Sequence, residues 1–82
     1  MIHLQIYENA GKCWWKDGLA HRVNGPAARW PNGDQEWYKN GKRHNTNGPA
    51  VIYSDGTFEF RIEGREISEY ELLFLSNQVT TI

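Results

Sequence analysis

The chain has 82 residues, of which 39% are hydrophobic, 13% aromatic and 23% charged, and its formal net charge is −1. That length holds one domain and excludes multidomain enzymes, doubly wound nucleotide-binding folds and barrels. The near-neutral charge argues against a general polyanion binder, and four Trp, four Tyr and three Phe argue against disorder.

Residues 1–12 read as an N-terminal strand in which Ile2, Leu4 and Ile6 alternate with His3, Gln5 and Tyr7, giving an apolar face suited to cover one end of a sheet. These residues lack a basic leader, and no apolar run approaches the roughly 20 residues of a membrane span, so no membrane association is expected and the chain reads as cytoplasmic. A lone Cys13 excludes an internal disulfide and a multi-Cys zinc site, which fits a reducing compartment.

From Cys13 onward the chain repeats. Residues 13–35 align with 36–58 without a gap, pairing Trp14/Trp37, Lys16/Lys39, Gly18/Gly41, His21/His44, Asn24/Asn47, Gly25/Gly48, Pro26/Pro49, Ala27/Ala50 and Gly33/Gly56. A partial third copy, 59–67, places Phe60 under Trp37 and Gly64 under Gly41, and Tyr7-Glu8-Asn9-Ala10-Gly11 is a degenerate form of Trp30-Pro31-Asn32-Gly33.

Asp17-Gly18, Asn32-Gly33, Asn40-Gly41 and Asp55-Gly56 are dipeptides of tight hairpin turns, with Glu63-Gly64 in the same slot. Between them, 2–7, 12–16, 27–30, 35–39, 50–53 and 58–62 read as strands, with short returns at 19–21, 42–44 and 65–67. Asn24-Gly25-Pro26 and Asn47-Gly48-Pro49 interrupt each unit again, because Pro lacks a ladder donor. The pattern predicts a mainly β fold, an antiparallel meander of hairpins in which Trp14, Trp37 and Phe60 stack as an aromatic ladder on one face. Trp15, Tyr38 and Arg61 line the other.

Residues 68–78 read as a capping helix over about 69–77. Ser68 is its N-cap and Glu71 reaches back in a capping box, with acids in the first turn suiting the helix dipole. Tyr70, Leu73, Phe74 and Asn77 fall at helical spacing as the packed stripe, widened by Leu72 and Leu75. Charge divides along the same line: residues 1–62 carry eight Lys or Arg against six acids, whereas 63–82 carry Arg65 against Glu63, Glu66, Glu69 and Glu71.

The run from Trp14 to Ala27, and again from Trp37 to Ala50, resembles the MORN-type repeat superfamily, in a W-Y-x-N-G-x-x-H-R-x-x-G-P-A variant of small phage and bacterial proteins. The resemblance covers roughly residues 7–67 and implies stacked hairpins of about 23 residues. It also implies a scaffold role in protein association or dimerisation. The N-G-P-A motif stands where the usual unit carries H-G-x-G, which weighs against lipid binding.

Three functional readings follow. The first is a non-enzymatic protein-binding module, with a phage-encoded modulator of a host complex suggested by the resemblance. Trp15, Tyr38 and Arg61 would act as ring and guanidinium anchors beside Lys12, Arg22, Arg29, Lys42 and Arg43, the alternative being that the rings form the other half of a thin core; Glu63, Glu66, Glu69 and Glu71 read as a solvated helix face and dipole partner or, less readily, as an acidic group mimicking phosphate. A homodimer seam is the same surface used on a second copy. The second reading is single-stranded nucleic acid stacked on the aromatic and basic face. The third is a metal or catalytic role for His21 and His44. No Cys or carboxylate recurs at ligand spacing, so both histidines read as structural, each bonding the neighbouring turn, and no catalytic group, metal or cofactor is assigned. Gly18, Gly41, Gly25, Gly48, Pro26 and Pro49 likewise read as turn and strand-start residues, not a phosphate loop.

Overall fold

A computed structural model describes residues 2–77, with Ser76 and Asn77 described by backbone alone. Ten strands and one helix follow one another as β1 (Ile2–Ile6), β2 (Lys12–Lys16), β3 (Leu19–Ala20), β4 (Ala28–Arg29), β5 (Gln35–Glu36), β6 (Tyr38–Lys39), β7 (Lys42–Arg43), β8 (Val51–Ile52), β9 (Phe58–Ile62), β10 (Arg65–Ile67) and α1 (Glu69–Asn77). The main sheet runs β1-β2-β4-β5-β8-β9-β10 with every pairing antiparallel. β3 pairs with β2 off this path, and β6 pairs with β7.

The predicted strands are broken for a specific reason. The expected strand 35–39 splits at Trp37, whose N–H donates to Ala50 O at 2.7 Å while its carbonyl accepts from His44 N–H at 3.0 Å. Trp14 does the same with Ala27 O (2.7 Å) and His21 N–H (3.0 Å). Each tryptophan is therefore where a long strand changes partner, from the returning arm of its own hairpin to the next short strand. The Asn-Gly-Pro loop fills the gap between those two partners. The 27–30 and 50–53 segments shorten to β4 and β8 for the same reason.

The turns are of two kinds. At Asp17-Gly18, Asn40-Gly41 and Glu63-Gly64 both residues have positive φ (52° and 81°, 50° and 83°, 51° and 84°), the geometry that matches the right-handed strand twist. At Asn32-Gly33 and Asp55-Gly56 only the glycine does. There a type I turn is followed by one left-handed residue, with Gly33 N–H bonded to Trp30 O and Gly56 N–H to Tyr53 O, both at 3.0 Å. The side chains of Asn32 and Asp55 accept from the N–H two residues on, which fixes them outside the left-handed region.

The envelope, 47 × 32 × 18 Å, is one sheet layer thick with side chains on both sides. Its buried apolar residues are few, Cys13, Ala27, Ala28, Ala50, Val51, Ile67 and Leu72, and the largest side chain with almost no exposure is Val51. The rings lie half-buried or, at Phe58, Tyr70 and Phe74, exposed, so the core is not built from aromatics. Nor do Trp14, Trp37 and Phe60 stack as a ladder. Equivalent residues of successive units are two strands apart, about 9.5 Å at the backbone, and the alanine-bearing strands lie between them. Among the described residues the ring pairs are Phe58–Phe60, edge-to-face at 5.4 Å, and Tyr7–Trp30 at 5.8 Å. The second spans two strands only because Gly11 lies between, where a Cβ would fall 2.6 Å from Trp30 Cε3.

Helix α1 starts where Ser68 Oγ accepts from Glu71 N–H at 3.1 Å. Glu71 does not reach back to complete the capping box; its carboxylate takes Arg65 Nη2 at 3.0 Å. The packed face is also rotated from the expected one. Leu72 is buried and Leu75 half-buried, whereas Tyr70 (83% exposed), Leu73 and Phe74 face solvent. A helix apolar nearly all round leaves the choice of face to the sheet it meets. Gln78, the last residue of the expected capping segment, lies outside the described residues. No helix among those described is long and apolar enough to cross a membrane.

Candidate functional site

Strand register sorts the side chains onto two unlike faces, since directly opposed residues share a side. One row reads Gln5, Cys13, Ala28, Glu36, Val51, Glu59, and on its face stand Trp15, Tyr38 and Arg61. The other row reads Ile6, Lys12, Arg29, Gln35, Ile52, Phe58, and shares its side with Leu4, Trp14, Phe60 and Ile62. The first face carries the carboxylates; the paired residues of the second carry none.

On the carboxylate face the side chains satisfy one another. Tyr38 donates to Glu36 Oε2 at 2.8 Å, and Arg43 lies 3.6 Å from the other carboxylate oxygen. One unit on, Tyr53 donates to Glu59 Oε2 at 2.7 Å, and Arg61 bonds Glu59 Oε1 at 2.8 Å and Gly64 O at 3.0 Å. The hydrogen bonds from Tyr53 and Arg61 hold the Glu59 carboxyl below its ordinary pKa, while burial and then the bond to Glu36 raise the Tyr38 hydroxyl. The first unit departs from this lattice because Cys13 occupies the slot of Glu36. Trp15 Nε1 consequently lies buried with no partner. Trp15, Tyr38 and Arg61 thus share a face as the sequence predicts, and Arg43 joins them, whereas Arg22 and Arg29, expected beside them, lie with Trp14 on the other face; the polar groups of Tyr38, Arg43 and Arg61 are engaged within the sheet.

Cys13 itself is buried, its thiol directed to Trp14 O at 3.7 Å. Burial, then the charge of Glu36, push its pKa up. A thiol kept protonated in this way is a poor nucleophile.

The histidines act on backbone. His21 Nδ1 accepts from Asn40 N–H at 2.9 Å and His44 Nδ1 from Glu63 N–H at 3.0 Å, each holding the first left-handed residue of the next unit's turn. That geometry places the ring proton on Nε2. Burial lowers the His44 pKa, outweighing Glu63 Oε2 at 3.7 Å, which favours the cation. The rings line a cleft of about 230 Å³ with Trp37, Tyr38 and Asn45. Among the described residues no group of three or more His, Cys, Asp or Glu converges to hold a metal ion.

The apolar face has open features. A groove of about 210 Å³ is lined by Leu4, Lys12, Trp14, Arg22, Pro26, Ala27 and Arg29. Arg22 lies over the Trp14 ring, its Cζ 4.9 Å from the centroid, and its Nη1 reaches Pro26 O at 3.3 Å. Gly25 permits this, since a Cβ there would approach the guanidinium at 3.3 Å. In the second unit Asn45 stands where Arg22 does and donates to Pro49 O at 2.8 Å, so the cation is peculiar to the first unit. Arg29 is exposed beside it, and Leu4, Ile6 and Phe58 are 39%, 62% and 54% exposed.

The structure therefore brings Arg22 and Arg29 together with Trp14, and leaves Glu69 and Glu71 on the helix beyond the opposite end of the strand order. Sequence reasoning missed Leu4, Ile6 and Phe58 as surface residues. The alternation of Ile2, Leu4 and Ile6 was legible, but a cover over a sheet end and an exposed edge strand have the same alternation. No family model matches the chain, and no curated protein or solved structure shows significant similarity to it.

Proposed function

We propose that this protein is a non-enzymatic binding module, MORN-like in its hairpin units, that recognises a protein segment combining acidic and apolar side chains. The observation that carries this reading is the unpartnered face on which Leu4, Trp14, Ile52 and Phe58 lie among Lys12, Arg22 and Arg29, with no carboxylate in its paired rows. Apolar area gives such a surface its affinity, and the three cations select the sign of the partner. Arg22 stacked on Trp14 is already ordered, which lowers the entropy lost on docking. Action would be steric: a stiff sheet occupies its partner's surface without altering it chemically, as a phage-encoded modulator of a host complex would in the host cytoplasm. Self-association belongs to the same reading.

The carboxylate face, with Trp15, Tyr38 and Arg61, supports this role less well, because its hydroxyl and guanidinium groups already have partners. Nucleic acid is the competing ligand for a groove of cations and a ring. Titrating the protein with an Asp/Phe-rich peptide and with a single-stranded oligonucleotide, while following tryptophan fluorescence, separates them. The reading expects saturable binding of the peptide that weakens in Arg29→Glu. It is overturned if only the oligonucleotide binds, with affinity falling steeply with salt.

A further inference from the structure

Strand β1 forms one end of the main sheet and pairs only with β2 among the described residues. Tyr7 N–H bonds Gly11 O at 2.8 Å across the hairpin, which fixes the phase of the ladder. Bonded and non-bonded pairs alternate in an antiparallel ladder. His3 and Gln5 therefore exchange bonds with β2, and the N–H and C=O groups of Ile2, Leu4 and Ile6 point outward. Trp14, opposite Leu4, agrees with this phase, because its own N–H points away from β1 to Ala27 O.

Natural sheets blunt such an edge with Lys, Pro, a bulge or a covering element. The opposite end of this sheet follows that rule: β10 has three residues, two of them Arg65 and Glu66, and runs into α1. Among the described residues β1 has none of these devices. It is five residues long, exposed throughout, and contains neither charge nor proline.

We propose that β1 pairs antiparallel with β1 of a second copy of the chain about a two-fold axis at Leu4. In this register Leu4 faces Leu4, Ile2 faces Ile6, and His3 faces Gln5, so each apolar side chain meets an apolar one and no like charges oppose. All three outward N–H and three outward C=O groups of each copy are satisfied. A foreign strand has no reason to match this order, whereas a second copy matches it by symmetry. The side bearing Leu4, Trp14 and Phe58 then runs continuously through both copies, doubling the binding face. An edge of about 17 Å buries well under the roughly 1,200 Å² of a stable interface, so the dimer forms reversibly with concentration.

The inference extends the protein-binding reading and rests on it for the role of the doubled face, yet the two fail separately. Sedimentation equilibrium of the full chain from about 10 μM to about 1 mM, a range that brackets a weak interface, is expected to show the mass rising toward twice the monomer value. Leu4→Lys sets two cations face to face, and Leu4→Pro removes an outward donor while sparing the β1–β2 bonds. Both are expected to stay monomeric with an unchanged far-ultraviolet spectrum. If either unfolds, Leu19→Lys, which leaves the edge intact, and Ile6→Lys, which charges its end, carry the comparison: the first dimerises and the second does not. A wild-type chain that is monomeric throughout overturns the proposal, as does a Leu4→Lys chain that dimerises like wild type. Peptide binding by a monomeric wild type would overturn the dimer alone and leave the recognition face standing.

Discussion

Gly11→Ala tests the packing at the first turn. Gly11 is buried and has no positive φ, so the substitution carries no backbone penalty of the left-handed kind. The added Cβ would lie 2.6 Å from Trp30 Cε3, 2.9 Å from Cζ3 and 3.0 Å from Asn9 Oδ1, all inside the 3.4 Å where ordinary contact begins. The Trp30 ring must move, at about 1–3 kcal/mol for overpacking, and its contact with Tyr7 at 5.8 Å is lost, worth about 0.5–1.5 kcal/mol. Alanine restricts the unfolded chain, which returns about 0.4–1 kcal/mol. The net loss is about 2 kcal/mol, or roughly 8–16 °C in Tm for a domain of this size. Thermal melts of wild type, Gly11→Ala, Trp30→Ala and the double variant form a cycle. Most of the Gly11→Ala cost should vanish once Trp30 is already alanine. Equal cost in both backgrounds would refute the reasoning, because the clash would then not involve Trp30.

Position-equivalent residues should respond with opposite signs: Trp15→Phe removes a buried orphan donor and should leave stability unchanged or raised, whereas Tyr38→Phe loses its bond to Glu36 and should cost about 1 kcal/mol in chemical denaturation. His44 has a folded pKa below its ordinary value, so its contribution is complete above about pH 6.5 and is lost as pH falls through that region. The stability gap between wild type and His44→Leu should narrow from about pH 8 to about pH 5.5, and a widening gap contradicts the assignment. Cys13 should resist a thiol reagent in the folded protein and react on unfolding; rapid native-state labelling would show that the thiol is not buried.

The turn positions and the helix start were legible because they rest on local chemistry, positive φ at Asn40-Gly41 and a hydroxyl cap at Ser68, but successive positive φ was expected at Asn32-Gly33 and Asp55-Gly56 as well, where the Asx bond holds the first residue outside that region. Two pairs of residues offset by 23 in sequence make matching hydrogen bonds, Gly41 N–H to Ala20 O and Gly64 N–H to Arg43 O, both at 2.8 Å. The partner change at Trp14 and Trp37 was not legible, since a strand that switches neighbours keeps the same alternation as one that does not. Choice of face escaped for a related reason. Both sides of Lys12–Lys16 carry a tryptophan, and only the register, by placing Glu36 and Glu59 in line with Cys13, shows which side is internally bonded. In α1, apolar residues on every side left the buried pair, Leu72 and Leu75, to be fixed by contact with the sheet.

The central claim, that recognition belongs to the apolar and basic face, is tested most directly by measuring the affinity of an Asp/Phe-rich peptide for two variants that each alter one face. Phe58→Asp changes the exposed side of β9, and Arg61→Ala changes the carboxylate side of the same strand. The account predicts at least a tenfold loss, about 1.4 kcal/mol, for Phe58→Asp and little change for Arg61→Ala. Loss confined to Arg61→Ala would place recognition on the other face and contradict it.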